Sequence, residues 1–209
     1  MNQGLKVAII AGEVSGDLLG ADLIAALKAS YGGPVELIGV GGDALSAQGL
    51  QSLFDFSELS IMGITQVLAR LPNLIRRINQ TAAAIVAAKP DVLVIVDSPD
   101  FTHRVARKVR AALPDLPIVD YVCPSVWAWK EYRAKAMLSY VDLVLAVLPF
   151  EPEAMRRLEG PQTVFVGHRL TNDADLLRVR AARAERPVKT SADKKTILLL
   201  PGSRSAEIK

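Results

Sequence analysis

Short, almost unbroken apolar runs alternate along this chain with longer stretches in which apolar residues recur every three or four positions. The first pattern suits a strand buried on both faces, the second a helix with one buried stripe. The predicted strands are Lys6–Ala11 (KVAIIA), Val35–Val40 (VELIGV), Val92–Val96 (VLVIV), Pro117–Val122, Asp142–Leu148 (DLVLAVL) and Thr163–Val166. Helices are predicted between them over Asp17–Ala29, Gln66–Ala88, Phe101–Ala112, Glu131–Ser139 and Glu151–Leu158. The first of these gathers Leu18, Leu19, Leu23, Ile24 and Leu27 on one side. Such alternation argues for an α/β fold, a doubly wound and mostly parallel sheet with helices on both faces.

The rhythm changes near the end. Residues 178–195 (RVRAARAERPVKTSADKK) hold seven basic and two acidic groups and read as a linker or a solvated helix. A new apolar run, Thr196–Leu200 (TILLL), predicts a further strand, and PGSRSAEIK follows it. A strand needs a sheet to enter. The expectation is a first domain over 1–177, a linker over 178–195, and over 196–209 the opening strand and turn of a second domain. The chain then reads as the N-terminal half of a two-domain protein.

Composition narrows the classes. Half of the 209 residues are apolar, 22% are charged and 5% are aromatic. That content over that length buries a real core and excludes an intrinsically disordered chain. A single cysteine, Cys123, excludes an intrachain disulfide. Nothing basic flanks it, so an inert buried thiol is expected. His103 and His168 lie far apart and give no support for a transition-metal centre. No run of eighteen apolar residues is present. The first apolar run breaks at Glu13, unlike a signal peptide, so a cytoplasmic location is expected. Residues 1–100 carry 6 basic and 10 acidic groups, and residues 101–209 carry 19 and 12. The positive second half suits an anionic partner, either phosphate or a membrane surface. No nucleic-acid recognition motif accompanies the charge, so no nucleic-acid partner is expected.

Candidate chemistry lies at the ends of the predicted strands. Eleven of the fourteen glycines fall in the first 63 residues, and Gly12, Gly16, Gly41 and Gly42 directly follow strands. Ligands bind at such strand ends in open α/β sheets. The first turn, AGEVSGD (Ala11–Asp17), lacks the GxGxxG dinucleotide fingerprint. Ser15 or Asp17 in it can cap the next helix. Glu13, a carboxylate in a glycine-flanked turn, has no packing purpose. VDSPDF (Val96–Phe101) places Asp97 at the end of a core strand, with Asp100 a candidate helix cap. Burying a carboxylate is costly unless it is paired, and at a sheet edge it can act as a general base. CPSVWAWK (Cys123–Lys130) holds both tryptophans of the chain, either as core packing or as a wall for a sugar or acyl chain.

Taken in order, AGEVSGD, GVGGDAL, LSIMGITQVL, VDSPDF, PSVWAW, LPFE, VGH and LLPGSR resemble the lipid-A-disaccharide synthase family, from about residue 5 to the last residue. Eight motifs in order are specific where each alone is weak. Two departures are visible: Arg169 follows His168 where a small residue or proline is usual, and Leu45 stands where methionine is common. The resemblance implies one Rossmann-like half of a GT-B fold. It implies a peripheral enzyme on the inner face of the inner membrane of Gram-negative bacteria. That enzyme moves 2,3-diacylglucosamine from its UDP conjugate onto 2,3-diacylglucosamine 1-phosphate, with inversion, giving a β(1→6) disaccharide and UDP. The family chain is nearly twice this length, so the 209 residues alone are expected to be inactive.

The resemblance also implies roles. Asp97 matches the proposed base. Glu13 is the second candidate, or else positions the acceptor or polarises Asp97. Ser15, Gly16, Gly42, Met62, Ser125, Trp127 and His168 are the expected substrate-binding positions. Gly202, Ser203 and Arg204 are expected to hold the UDP diphosphate, since a helix start binds phosphate and arginine adds a two-pronged grip. No acidic metal-binding pair of the DxD kind is recognised, so no metal and no cofactor are expected. Ile61–Ile78 is apolar with interspersed arginines; it is either a core helix or an interfacial one. Val67, Leu68 and Leu71 are the candidate membrane contacts. A homo-oligomer is left open. The competing readings are a non-catalytic module that binds an acylated sugar phosphate, another GT-B enzyme such as a UDP-sugar epimerase, and a nucleotide domain.

Overall fold

In the computed structural model, which describes residues 4–59, 64–185 and 197–199 and the side chains of all but 64–70, the first strand decides the layers. Along β1 (Leu5–Ala11), Ala8 and Ile10 join one buried cluster, while Val7, Ile9 and Ala11 join another. β3 (Val92–Val96) repeats the division, Leu93 and Ile95 against Val94 and Val96. Successive side chains of a strand point to opposite faces. Both faces of this sheet are therefore core, as the unbroken apolar runs require.

The six strands are β1, β2 (Val35–Val40), β3, β4 (Ile118–Tyr121), β5 (Leu143–Ala146) and β6 (Gln162–Phe165), in spatial order β2-β1-β3-β4-β5-β6. Every neighbouring pair is parallel. α1 (Val14–Tyr31) and α2 (Asp43–Ala47) supply Ile24 and Leu45 to one face. α3 (Ile64–Ala88) and α4 (Pro99–Ala112) supply Ile78, Ile85, Val105 and Val109 to the other. Met137 of α5 (Tyr132–Met137) and Met155 of α6 (Glu151–Arg157) join that second cluster. The doubly wound α/β fold is observed.

Several boundaries move, for local reasons. α1 begins at Val14, three residues before the predicted start, with Glu13 at its N-cap and no side-chain cap bond. Neither Ser15 nor Asp17 caps it. Ser98, not Asp100, stands at the N-cap of α4, with Pro99 in the first turn. β5 stops at Ala146 rather than Leu148, because the Leu148 N–H goes to the Glu151 carboxylate at 2.9 Å and leaves the ladder.

The chain divides into two compact units, Met1–His168 and Arg169–Lys209. The sheet lies in the first. The second holds α7 (Ala174–Ala184), which has no buried residue and is capped by the Asp173 side chain. Ile197–Leu199 are not in a strand, correcting that part of the 196–200 prediction; they are about four-fifths exposed. Apolar residues alone do not make a strand, which needs a paired neighbour. Met62, Gly202, Ser203 and Arg204 lie outside the described residues, as do the side chains of Val67 and Leu68.

Candidate active site

A parallel sheet puts every turn that follows a strand at one edge. Glu13 follows β1, Gly42 follows β2, Asp97 follows β3, Ser125 comes after β4 and His168 after β6. Topology alone thus brings these candidates to the carboxyl edge. The strand order reverses between β1 and β3, which opens a crevice there. Gly12 occupies it. A Cβ on Gly12 would stand 2.4 Å from Ser98 Oγ and 2.6 Å from Ser98 Cβ. The first turn therefore rests directly on the Asp97–Ser98 turn. A Cβ on Gly16 would meet the Val96 carbonyl at 3.2 Å, so the start of α1 also lies against the end of β3.

Asp97 and Ser98 are both left-handed, with φ of 51° and 49°. Such a conformation costs a non-glycine residue on the order of 1 kcal/mol or more and persists where its surroundings enforce it. Here they do. The Asp97 N–H donates to the Tyr121 carbonyl at 3.2 Å. The Ser98 N–H donates to Asp97 Oδ1 at 2.7 Å. Thr102 Oγ1 donates to the Asp97 carbonyl at 2.7 Å. Val122 (φ 83°) and Lys130 (φ 59°), after β4, are left-handed too. For a β-branched valine that is a true outlier. Strain of this kind gathers at functional sites.

A cavity of about 600 Å³ opens beside these residues, between the Asp97 turn, α4, and the segment from Val122 to Tyr140. Asp97 and Ser125 line it; Glu13, Ser15, Gly16, Gly42, Trp127 and His168 do not. Gly42 serves packing: a Cβ there would stand 2.6 Å from the Phe56 ring and 2.8 Å from Asp17 Oδ2. The two tryptophans divide the readings left open for them. Trp127 packs edge to face on Phe150 with ring centres 4.9 Å apart. Trp129 is 73% exposed and lines the cavity.

The remaining wall went unread in the sequence. Asp100, His103, Arg104 and Arg107 share one face of α4 and all line the cavity, as do Lys130 and Arg133 opposite. Behind His103 lies Asp120, fully buried in β4. His103 Nε2 is 3.3 Å from Asp120 Oδ2, and its Nδ1 is 2.9 Å from the Tyr140 hydroxyl. Neither Asp120 oxygen has a well-aligned hydrogen bond among the described residues. Burial pushes the Asp120 carboxyl above the usual carboxylate range, and His103 offsets this only in part. The signal was present as an acidic residue inside the apolar run IVDYV. Burial, with the charges of Glu151 and Asp120, pushes the Cys123 thiol up to about 12, which agrees with an inert cysteine.

Among the described residues no group of three or more His, Cys, Asp or Glu is placed to hold a metal. Asp173-Ala174-Asp175 does have the DxD spacing, correcting the sequence reading. Asp173 spends its carboxylate on two N–H groups of α7, and Asp175 pairs with Arg178 at 3.1 Å. No helix of the described residues is long and apolar enough to cross a membrane.

Comparison with known proteins agrees with the motif reading. The profile of the family described as lipid-A-disaccharide synthetase matches residues 7–209. A lipid-A-disaccharide synthase of Nitrobacter winogradskyi is 56% identical over 208 residues, covering 100% of this chain and 52% of that protein. One from Rhodopseudomonas palustris is 54% identical, covering 97% and 51%. One from Pseudomonas aeruginosa is 44% identical, covering 100% and 54%. The chain spans about half the length of these curated relatives. In fold it is similar to a UDP-GlcNAc 2-epimerase from Neisseria meningitidis solved with UDP-GlcNAc, with a TM-score of 0.50 at 14% identity, covering 90% of this chain and 51% of that one.

Proposed function

The chain belongs to the lipid-A-disaccharide synthase family, and on that premise we propose that the whole protein transfers 2,3-diacylglucosamine from UDP to 2,3-diacylglucosamine 1-phosphate, with inversion. Asp97 carries this reading. It lines the cavity from the turn after β3, a turn braced from three sides that also borders the crevice where the strand order reverses. In this mechanism Asp97 takes the proton of the acceptor hydroxyl as that oxygen attacks the anomeric carbon. The bond from that carbon to the diphosphate breaks on the opposite face of the sugar, which is how inversion arises. Gly202, Ser203 and Arg204 would receive the departing UDP, by backbone N–H groups at a helix start and a guanidinium fork. Glu13, in the turn that rests on Ser98, would orient the acceptor or support Asp97.

Both substrates carry acyl chains, so the protein works at a bilayer surface, which we place at the inner face of the inner membrane. Leu71 and Ile75, one turn apart on α3, are 37% and 46% exposed. Exposed apolar residues on a helix suit contact with the acyl boundary, and Val67 and Leu68 belong to the same candidate surface. Arg77 is committed elsewhere: it pairs with Glu58 and stacks on Phe54.

Asp97→Ala in the full-length enzyme should lower turnover by roughly 10²–10⁴, the usual contribution of a positioned base. UDP release measured with both acylated substrates tests this. Near-normal turnover would remove Asp97 from the role. Acceptor binding by the unaltered enzyme without UDP release would mark a binding module instead.

A further inference from the structure

The cavity beside Asp97 has a cationic wall that the proposed chemistry does not use. Arg104 and Arg107 stand three residues apart on α4, and Lys130 and Arg133 are likewise three apart on the opposite side. Like charges at that spacing on a helix, as Arg104 and Arg107 are, repel. Among the described residues none of the four forms an ion pair with a carboxylate. Arg107 lies over the Tyr140 ring at 4.5 Å and donates to its hydroxyl at 3.2 Å, and Lys130 lies 4.6 Å over the Trp129 ring. The acidic groups on the wall are Asp97 and Asp100. Four permanent cations thus face one concavity against two carboxylates.

His103 lines the same wall. It is 7% exposed, and Asp120 and Tyr140 hold its two ring nitrogens. His103 is thus backed by a buried acid and Arg107 is held on Tyr140, with the exposed Arg104 and Arg133 beside them. An anion seated there would relieve the repulsion and accept from guanidinium groups, which match phosphate oxygens in pairs. Ser125 and the exposed Trp129 line the same cavity, a hydroxyl and a flat apolar ring suited to a sugar. A volume of about 600 Å³ falls in the range of small-ligand sites.

We propose that Arg104, Arg107, Lys130 and Arg133 form a subsite for the phosphate monoester of a hexose 1-phosphate, which places the acceptor sugar between this subsite and Asp97. The proposal rests on the glycosyl-transfer reading only for the name of the ligand; the cationic cavity stands without it. The phosphate on C1 and the reacting hydroxyl on C6 then leave the sugar from the two carbons that flank its ring oxygen. The cations set which sugars are accepted and in which direction they lie.

Equilibrium binding on the full-length protein tests this without turnover, with glucosamine 1-phosphate, glucosamine and UDP as separate probes in calorimetry. Glucosamine 1-phosphate should bind at least tenfold more tightly than glucosamine. Arg104→Ala/Arg133→Ala, at two exposed positions, should remove at least that tenfold and leave UDP affinity within twofold. Arg104→Lys/Arg133→Lys, which keeps the charge, should recover part of the loss and guards against misfolding of the alanine variant. Equal affinity for glucosamine and its phosphate would overturn the proposal, as would an alanine variant with unchanged affinity. Loss of UDP affinity in place of sugar-phosphate affinity would assign the wall to the donor diphosphate and overturn it too. If binding behaves as expected and no transfer is found, the glycosyl-transfer reading fails while the subsite stands. Transfer in the unaltered protein with unchanged acceptor KM in the alanine variant would remove the subsite and leave the reading intact.

Discussion

Gly12 has no room for a methyl group. Its Cβ would overlap Ser98, whose left-handed backbone is held by Thr102, so Ser98 cannot simply step aside. Gly12→Ala should cost about 1–3 kcal/mol, the usual penalty of overpacking, read as a lower denaturant midpoint. Asp120 makes the opposite case, a native residue that opposes folding. Its carboxyl is raised in the folded state, first by burial. Below the ordinary carboxylate value of about 4 both states are protonated and nothing is lost. As pH rises through that value the unfolded chain ionises first, so stability falls until the folded value is passed. Asp120→Asn should therefore melt higher than the native chain at pH 8, with the gap closing towards pH 4. A gap independent of pH would show that the buried acid carries no such penalty.

At the scale of elements, Asp17 shows how a residue of one helix builds another. Its carboxylate accepts from the N–H groups of Gly42, Ala44 and Leu45 at 2.7, 2.9 and 3.2 Å. Those donors begin α2, which at five residues is too short to hold itself. Asp17→Ala should cost about 3 kcal/mol, since it strands several buried N–H groups at once. Hydrogen exchange should find the loss centred on Gly42–Leu45. The sequence marked Asp17 as a helix cap, which was chemically apt, but the capped helix lies 25 residues on. Glu58 plays a similar part for α3: Arg77 and Asn73 hold its carboxyl below the usual range and tie the preceding segment to the helix. Such long-range partners leave no periodic trace in a chain.

For the molecule as a whole, the exposed side of α3 bears on location. Replacing Val67, Leu68 and Leu71 with serine should release the full-length protein from anionic vesicles in a flotation assay while its melting temperature holds. A collapse of melting temperature would assign those residues to a core. The larger pattern was legible because both sheet faces are buried: six apolar runs with helical spacers admit few arrangements other than a doubly wound sheet. Asp97 and Glu13 were legible as carboxylates where packing asks for none. The cationic cavity was not, because His103, Arg104 and Arg107 read as an ordinary solvated helix face until β4 and its following segment are set against them.

The local pattern of apolar and polar residues by itself determined the elements, their parallel arrangement and the edge at which the chemistry gathers. It could do so because burial acts on each segment through its own periodicity. Only the tertiary structure decided that the order reverses between β1 and β3, that Trp129 rather than Trp127 meets the cavity, and that Asp120 stands behind His103. Those outcomes depend on contacts between residues far apart in the chain, and a local pattern carries no record of which distant partner will fill the space.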